Sequence, residues 1–293
     1  MNGGPFPAES GTFWHYTGVI GMLGIIRSGQ LWASSVHSLN DKSELRFGWD
    51  VLGRVWADLD KNDLGSAPRE HIAGLLERSL SEQVLDSAFV LSTSTEANSE
   101  CMWTNYAGDR GFCIGINAGP GAYWTPEYAT DRIHRGLPPI DGERLHPGWR
   151  RIHYADTDQI KLARAVLTWT AANWDGMALA ESENPGGALT PEYVLLTSAL
   201  QLKRPEFRSE SEVRFMGGRP DSVPWSTSNG RKYIPIVSTN PAMAAGDKQT
   251  WVSMTAIHHS PRALPGDIEC VKKALQTAGY LHVKVQIGDG DDH

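Results

Sequence analysis

Two sets of residues, far apart in the chain, have types and spacings suited to chemistry. His15 lies inside the aromatic run Phe13-Trp14-His15-Tyr16-Thr17, and Glu210, Glu212 and Arg214 recur at every second position of FRSESEVRF. A neutral imidazole offers one donor and one acceptor, which suits a ribose edge. Period-two spacing leading into a strand predicts that Glu210, Glu212 and Arg214 share one face. Two carboxylates on one face repel unless a cation balances them, an arrangement more useful where charge develops than in a core. The plain alternatives are a hydrogen-bonded core histidine and an edge strand carrying a Glu–Arg surface pair.

Weaker candidates surround these. MWTNYAGDRG sets Trp103, Tyr106 and Arg110 before a strand, the guanidinium beside glycines being suited to an anion. SLNDKSEL offers Asn40 or Asp41 as a helix cap with Glu44 in the first turn, either a simple capping box or a brace for a cleft wall. Other chemistries lack their signatures. Gly18, Gly21 and Gly24 have the wrong spacing for a dinucleotide fingerprint, and GxxxxGK[ST], HExxH and GxSxG are missing from the sequence. The adjacent His258 and His259 point to opposite sides of a strand, so no metal site is expected.

Composition narrows the classes. The 293 residues carry a formal net charge of -7, which argues against a uniformly basic nucleic-acid surface. Three cysteines, odd in number and widely spaced, form no disulfide framework or zinc pattern, and no signal peptide or membrane-length apolar run is visible. A cytoplasmic protein is expected. Eleven tryptophans are many, and tryptophan also makes a flat wall for a ring-bearing ligand.

The elements that must position these residues follow from periodicity and punctuation. FWHYT reads as a strand, GVIGMLGIIRSG as a helix stopped at Ser28-Gly29, and QLWASS as a second strand. Helices are predicted over about 41–59, 68–85, 160–180, 191–203 and 265–278. SAFVLSTS, GFCIGIN, RRIHYA, SEVRFM, KYIPIV, TWVSMTAIHHS and YLHVKVQI read as further strands. Residues 1–11 read as a flexible leader, 118–149 as a long surface loop, and 289–293 as a solvated acidic tail. Mixed elements without strict βα alternation predict an α+β class in a single domain spanning 12–288.

The ordered set His15-Tyr16-Thr17, Leu31-Trp32-Ala33-Ser34, Asn40-Asp41 with Glu44, Met102-Trp103 with Tyr106-Ala107, and Glu210-x-Glu212-x-Arg214 resembles a bacterial family known chiefly as a domain of unknown function. Asn105 stands where that pattern often has histidine, and Lys42 where it often has proline. More distantly, FWHYTGVIGMLGIIRSGQLWAS is similar to the opening of ADP-ribosyltransferases of the polymerase type. That likeness implies a mixed, mostly antiparallel split sheet flanked by helices, with NAD bound in the cleft as substrate. It further implies that His15 contacts the ribose, that Glu212 with Glu210 acts on it, and that Tyr106 or Trp103 stacks on nicotinamide. The expected binding set is His15, Tyr16, Thr17, Ser34, Asn40, Trp103, Tyr106, Arg110 and Arg214, with Arg110 or Arg27 facing the pyrophosphate. The acceptor is open: protein, nucleic acid, small molecule or water. A nucleic-acid-processing enzyme and a non-catalytic nucleotide-binding module are the other expectations.

Overall fold

The computed structural model describes residues 9–39, 42–60, 64–78, 82–118, 123–126, 148–183, 190–219, 223–239 and 252–288. Among the described residues eleven strands form one sheet: β1 (Thr12–Thr17), β2 (Leu31–Ser35), β3 (Ala88–Ser94), β4 (Phe112–Asn117), β5 (Tyr123–Pro126), β6 (Gly148–Arg151), β7 (Glu212–Gly218), β8 (Ser226–Ser228), β9 (Arg231–Thr239), β10 (Met254–His259) and β11 (Lys284–Ile287). The main path runs β11-β10-β4-β1-β3-β2-β9-β5, with β7 lying along β3 and β6 beyond it. Among the described residues every strand pair is antiparallel except β10 with β11.

The pairing of β3 is what creates a site. One edge of β3 is fully taken by β7, residue for residue from Ala88 opposite Gly218 to Ser94 opposite Glu212. The other edge is shared. β1 meets it only at Trp14 opposite Ser94, and β2 only at Ser34 opposite Val90 and Ser35 opposite Phe89. Between those contacts, Leu91, Ser92 and Thr93 have no strand partner on that edge, and the sheet is split there. Buried backbone carbonyls must find partners, and Ser92 finds one in a side chain: His15 Nδ1 lies 3.1 Å from its oxygen.

Helices cover the sheet. α1 (Val19–Ser28) packs on α7 (Pro265–Thr277), and their apolar faces join Phe13, Ile114, Phe215 and Ile257 in the largest core. α1 stops because Gly29 takes the left-handed conformation (φ 64°) and returns its N–H to Ile25. α2 (Lys42–Asp58), α3 (Ser66–Glu77), α4 (Asp156–Ala172), α5 (Trp174–Glu183) and α6 (Pro191–Ala199) build a second core around Leu52, Ile72, Leu167 and Leu195. A third cluster, including Val90, Tyr154, Leu196 and Met216, ties those helices to the sheet. α2 crosses α6 closely at Gly48, where a Cβ would collide with the Ala199 carbonyl.

The α+β class, the single fold and most strands agree with the sequence reading; several boundaries do not. The helix expected over 68–85 is α3, ending at Glu77, then a short helical turn at Glu82–Leu85. The helix expected over 160–180 is two helices, broken at Asn173, whose side-chain amide donates to the Trp169 carbonyl. Within the supposed surface loop, β5 pairs with β9, and Trp124 is buried edge-on against Trp149. The expected leader includes Glu9, which pairs with Arg151 and donates its N–H to the Trp149 carbonyl. Residues 1–8, most of the loop and the acidic tail lie outside the described residues.

Candidate active site

The gap in the sheet opens into a cleft of about 220 Å³. His15, Tyr16, Ser34, Tyr106, Glu210 and Glu212 all line it, so the early histidine and the late acidic pair meet in one hollow. β1 delivers His15, and β3 contributes Leu91 and Ser92 from its unpaired stretch. Burial holds the His15 imidazole below its ordinary pKa, the bond to the Ser92 carbonyl opposing this only in part. The neutral ring therefore donates from Nδ1 to that carbonyl, leaving Nε2 as an acceptor.

The acidic pair is arranged differently from the expectation. Glu210 is not on the strand: it ends a 3-10 turn (Pro205–Glu210), Ser211 follows in the left-handed region (φ 44°), and only then does β7 begin at Glu212. Glu212 and Arg214 do share a face, two residues apart on a strand paired on both sides, so the edge-strand alternative fails. Arg214 Nε and Nη2 donate to the two Glu212 oxygens at 2.6 and 2.8 Å, and Nη1 donates to the Leu200 carbonyl at 2.8 Å. Arg214 also pairs with Glu44, which α2 supplies.

Lys203 completes the group, and the sequence reading had no role for it. Its Nζ bonds Glu210, and stands 3.1 Å from Glu212 and 3.5 Å from Glu44. The expected helix to Lys203 instead stops at Ala199. The bridge between Leu202 and His153, with Lys203 N–H donating to the His153 carbonyl, then turns Lys203 inward. The sequence signal is a lysine, with Arg204 beside it, closing the mostly apolar run VLLTSALQL, a poor place for a charge without a partner.

Among the described residues, three carboxylates thus face two cations, leaving one surplus negative charge in a buried cluster. Desolvation alone would raise the pKa of Glu212, but Arg214 and Lys203 outweigh it and hold the carboxyl down at about 2. Desolvation disfavours the charged forms of Lys203 and Arg214 too, yet the facing carboxylates keep both above their ordinary values. Tyr106, 43% exposed at the cleft mouth, donates its hydroxyl to Glu210 Oε1 at 3.0 Å. Burial, with the Glu210 charge adding, pushes that phenol above its ordinary range, so it stays a donor. Tyr106 belongs to a single π-helical turn (Trp103–Ala107), a distortion frequent at functional sites.

Other expected residues take structural places. Tyr16 lines the cleft with its ring, but its hydroxyl is committed to the Glu96 carbonyl and the Ser99 N–H. Trp103 does not line it; it packs edge-on against Tyr16, 4.8 Å between centroids. Thr17 ends β1 against Gly21 of α1, Arg110 is exposed and does not line the cleft, and Arg214 lies behind Glu212. Asn40 lies outside the described residues. Two unexpected residues reach the mouth: Trp32 of β2 and Arg231, the first residue of β9. Among the described residues no three His, Cys, Asp or Glu side chains gather as a metal site, and no helix is long and apolar enough to cross a membrane.

Residues 102–215 match the model of a family described as a protein of unknown function, DUF2971. The match takes in Tyr106, Lys203, Glu210, Glu212 and Arg214, and leaves out His15, Ser34 and Glu44. No curated protein and no solved structure matches the chain.

Proposed function

We propose that the cleft binds NAD and breaks its nicotinamide–ribose bond, passing ADP-ribose to an acceptor or to water. The observation that carries this reading is the convergence of His15 and the two carboxylates on one cleft whose charged floor has a net negative charge. When the C–N bond breaks, its electron pair leaves on nicotinamide and neutralises the pyridinium. The ribose C1′ becomes oxocarbenium-like, as in glycoside cleavage. A fixed surplus carboxylate stabilises that cation more than it stabilises the bound substrate, which is the condition for catalysis. At an effective dielectric near 20, a charge pair about 4 Å apart contributes about 4 kcal/mol, roughly a thousandfold in rate.

The two glutamates take different parts. Glu212 is clamped on both oxygens by Arg214 and touched by Lys203, so it acts as a fixed charge rather than a base. Glu210, oriented by the Tyr106 hydroxyl, faces the cleft as the group that receives the acceptor's proton when the acceptor attacks C1′. The Nε2 of His15 accepts from a ribose hydroxyl. A second reading, nucleotide binding without turnover, is favoured by the engagement of both Glu212 oxygens by Arg214 and Lys203; it predicts a rise in Tm with NAD and no product. Mass spectrometry of NAD incubated with the protein, alone and with cell extract, separates these outcomes. Free ADP-ribose means hydrolysis, an ADP-ribosylated extract component means transfer, and intact NAD in both refutes the reaction.

A further inference from the structure

The outer half of the cleft has a feature that the proposed bond cleavage does not use. Along β2, Leu31, Ala33 and Ser35 are buried while Trp32 and Ser34 face outward, and both outward residues line the cleft. On the neighbouring strand Ser34 stands opposite Tyr233, and Arg231 shares the face of Tyr233 two residues away. The rings of Trp32 and Tyr233 are stacked, with centroids 4.1 Å apart and planes inclined by 18°. Trp32 nevertheless leaves 50% of its surface exposed. Arg231 is carried there by a two-residue hairpin, Asn229-Gly230, both residues with positive φ, and its side chain also lines the cleft. A large ring held flat by a second ring, one broad surface open, and a guanidinium on the same face form a complement to a base joined to a phosphate.

We infer that Trp32, backed by Tyr233, is a stacking platform for the adenine of an adenosine nucleotide, with Arg231 set for its phosphates. This deepens the NAD reading by giving the half of the dinucleotide remote from nicotinamide its own subsite, and it rests on that reading only for the ligand's identity. A stacked ring accounts for an exposed tryptophan that contributes little to the core. Because every base has a π-face, the platform supplies affinity, while the nicotinamide half near His15 supplies the reaction.

Calorimetric titration with AMP, ADP-ribose and ribose 5-phosphate tests this, since none of them contains the nicotinamide bond. Trp32→Ala should weaken AMP and ADP-ribose roughly tenfold or more while leaving ribose 5-phosphate unchanged, and Trp32→Phe should restore most of the loss. Arg231→Ala should weaken all three. The platform is refuted if wild-type protein shows no saturable AMP binding, if Trp32→Ala binds AMP as tightly as wild type, or if that variant loses ribose 5-phosphate to the same degree. NAD cleavage with AMP binding indifferent to Trp32 would remove the platform and keep the reaction. AMP binding through Trp32 with NAD left intact would do the reverse.

Discussion

Lys203→Met isolates the charge that holds the acidic floor together. Methionine nearly matches the lysine stem, so the substitution removes a cation without opening a large cavity. The Lys203 side chain is 6% exposed, and its ammonium touches three carboxylates: Glu210, Glu212 at 3.1 Å and Glu44 at 3.5 Å. Its loss leaves three carboxylates facing Arg214 alone, doubling the surplus negative charge. Removing one partner from a buried ionic group costs about 3–5 kcal/mol, and these side chains are nearly fully buried. Urea unfolding at pH 7 should show that loss as a lower midpoint with an unchanged slope. Near pH 4 the difference should shrink as carboxylates unbalanced in the variant take up protons. Adding Glu210→Gln to the variant should recover part of the loss, because it removes one repelling charge. A change below about 1 kcal/mol at pH 7 would mean the cluster is solvated and the cleft floor carries no effective charge.

Other consequences are open to direct measurement. The depressed Glu212 carboxyl stabilises the fold fully above its ordinary value of 4.5, and that contribution drains away as pH falls toward about 2; Glu212→Gln should flatten this part of the acid-unfolding curve. His15 has a lowered pKa, so its contribution is complete above the unfolded value of about 6.5 and is lost as pH falls below it, a component that should vanish from the pH profile of Tm in His15→Gln. Tyr106→Phe removes one hydrogen bond to Glu210 at a partly exposed site; we expect a fall in kcat of about tenfold with Tm nearly unchanged. Gly48→Ala forces a methyl group against the Ala199 carbonyl and should destabilise by about 3 kcal/mol in the same urea assay.

The legible parts of this molecule are those where a local rule and the tertiary structure agree. Alternation in SEVRF paired Glu212 with Arg214 correctly, and Gly29 closed α1 as a glycine in the left-handed region does. Glu210 escaped the same rule because the left-handed Ser211 interrupts the alternation just where the strand begins. Lys203 was hidden in an apolar stretch that reads as continuous helix, whereas a non-local bridge to His153 ends the helix and buries the lysine. β5 was missed because four residues ending in proline hold too little period to read, although β9 provides a partner. Arg110 has the glycine neighbours of an anion ligand, yet it is exposed and does not line the cleft. The Asn229-Gly230 hairpin, a strong turn signal, in fact sets Arg231 at the mouth. The split itself has no local signature, since it arises from β1 and β2 each using a different end of β3.

Nicotinamide release from NAD, followed in wild-type protein and in Glu210→Gln at pH 7.5, tests the central claim most directly. Glu210→Gln cancels the surplus charge, so the variant should keep its Tm while its kcat falls by about a hundredfold or more and its KM changes little. Release by the variant at the wild-type rate, or NAD left whole by the wild type with protein, nucleic-acid and small-molecule acceptors all supplied, would contradict it.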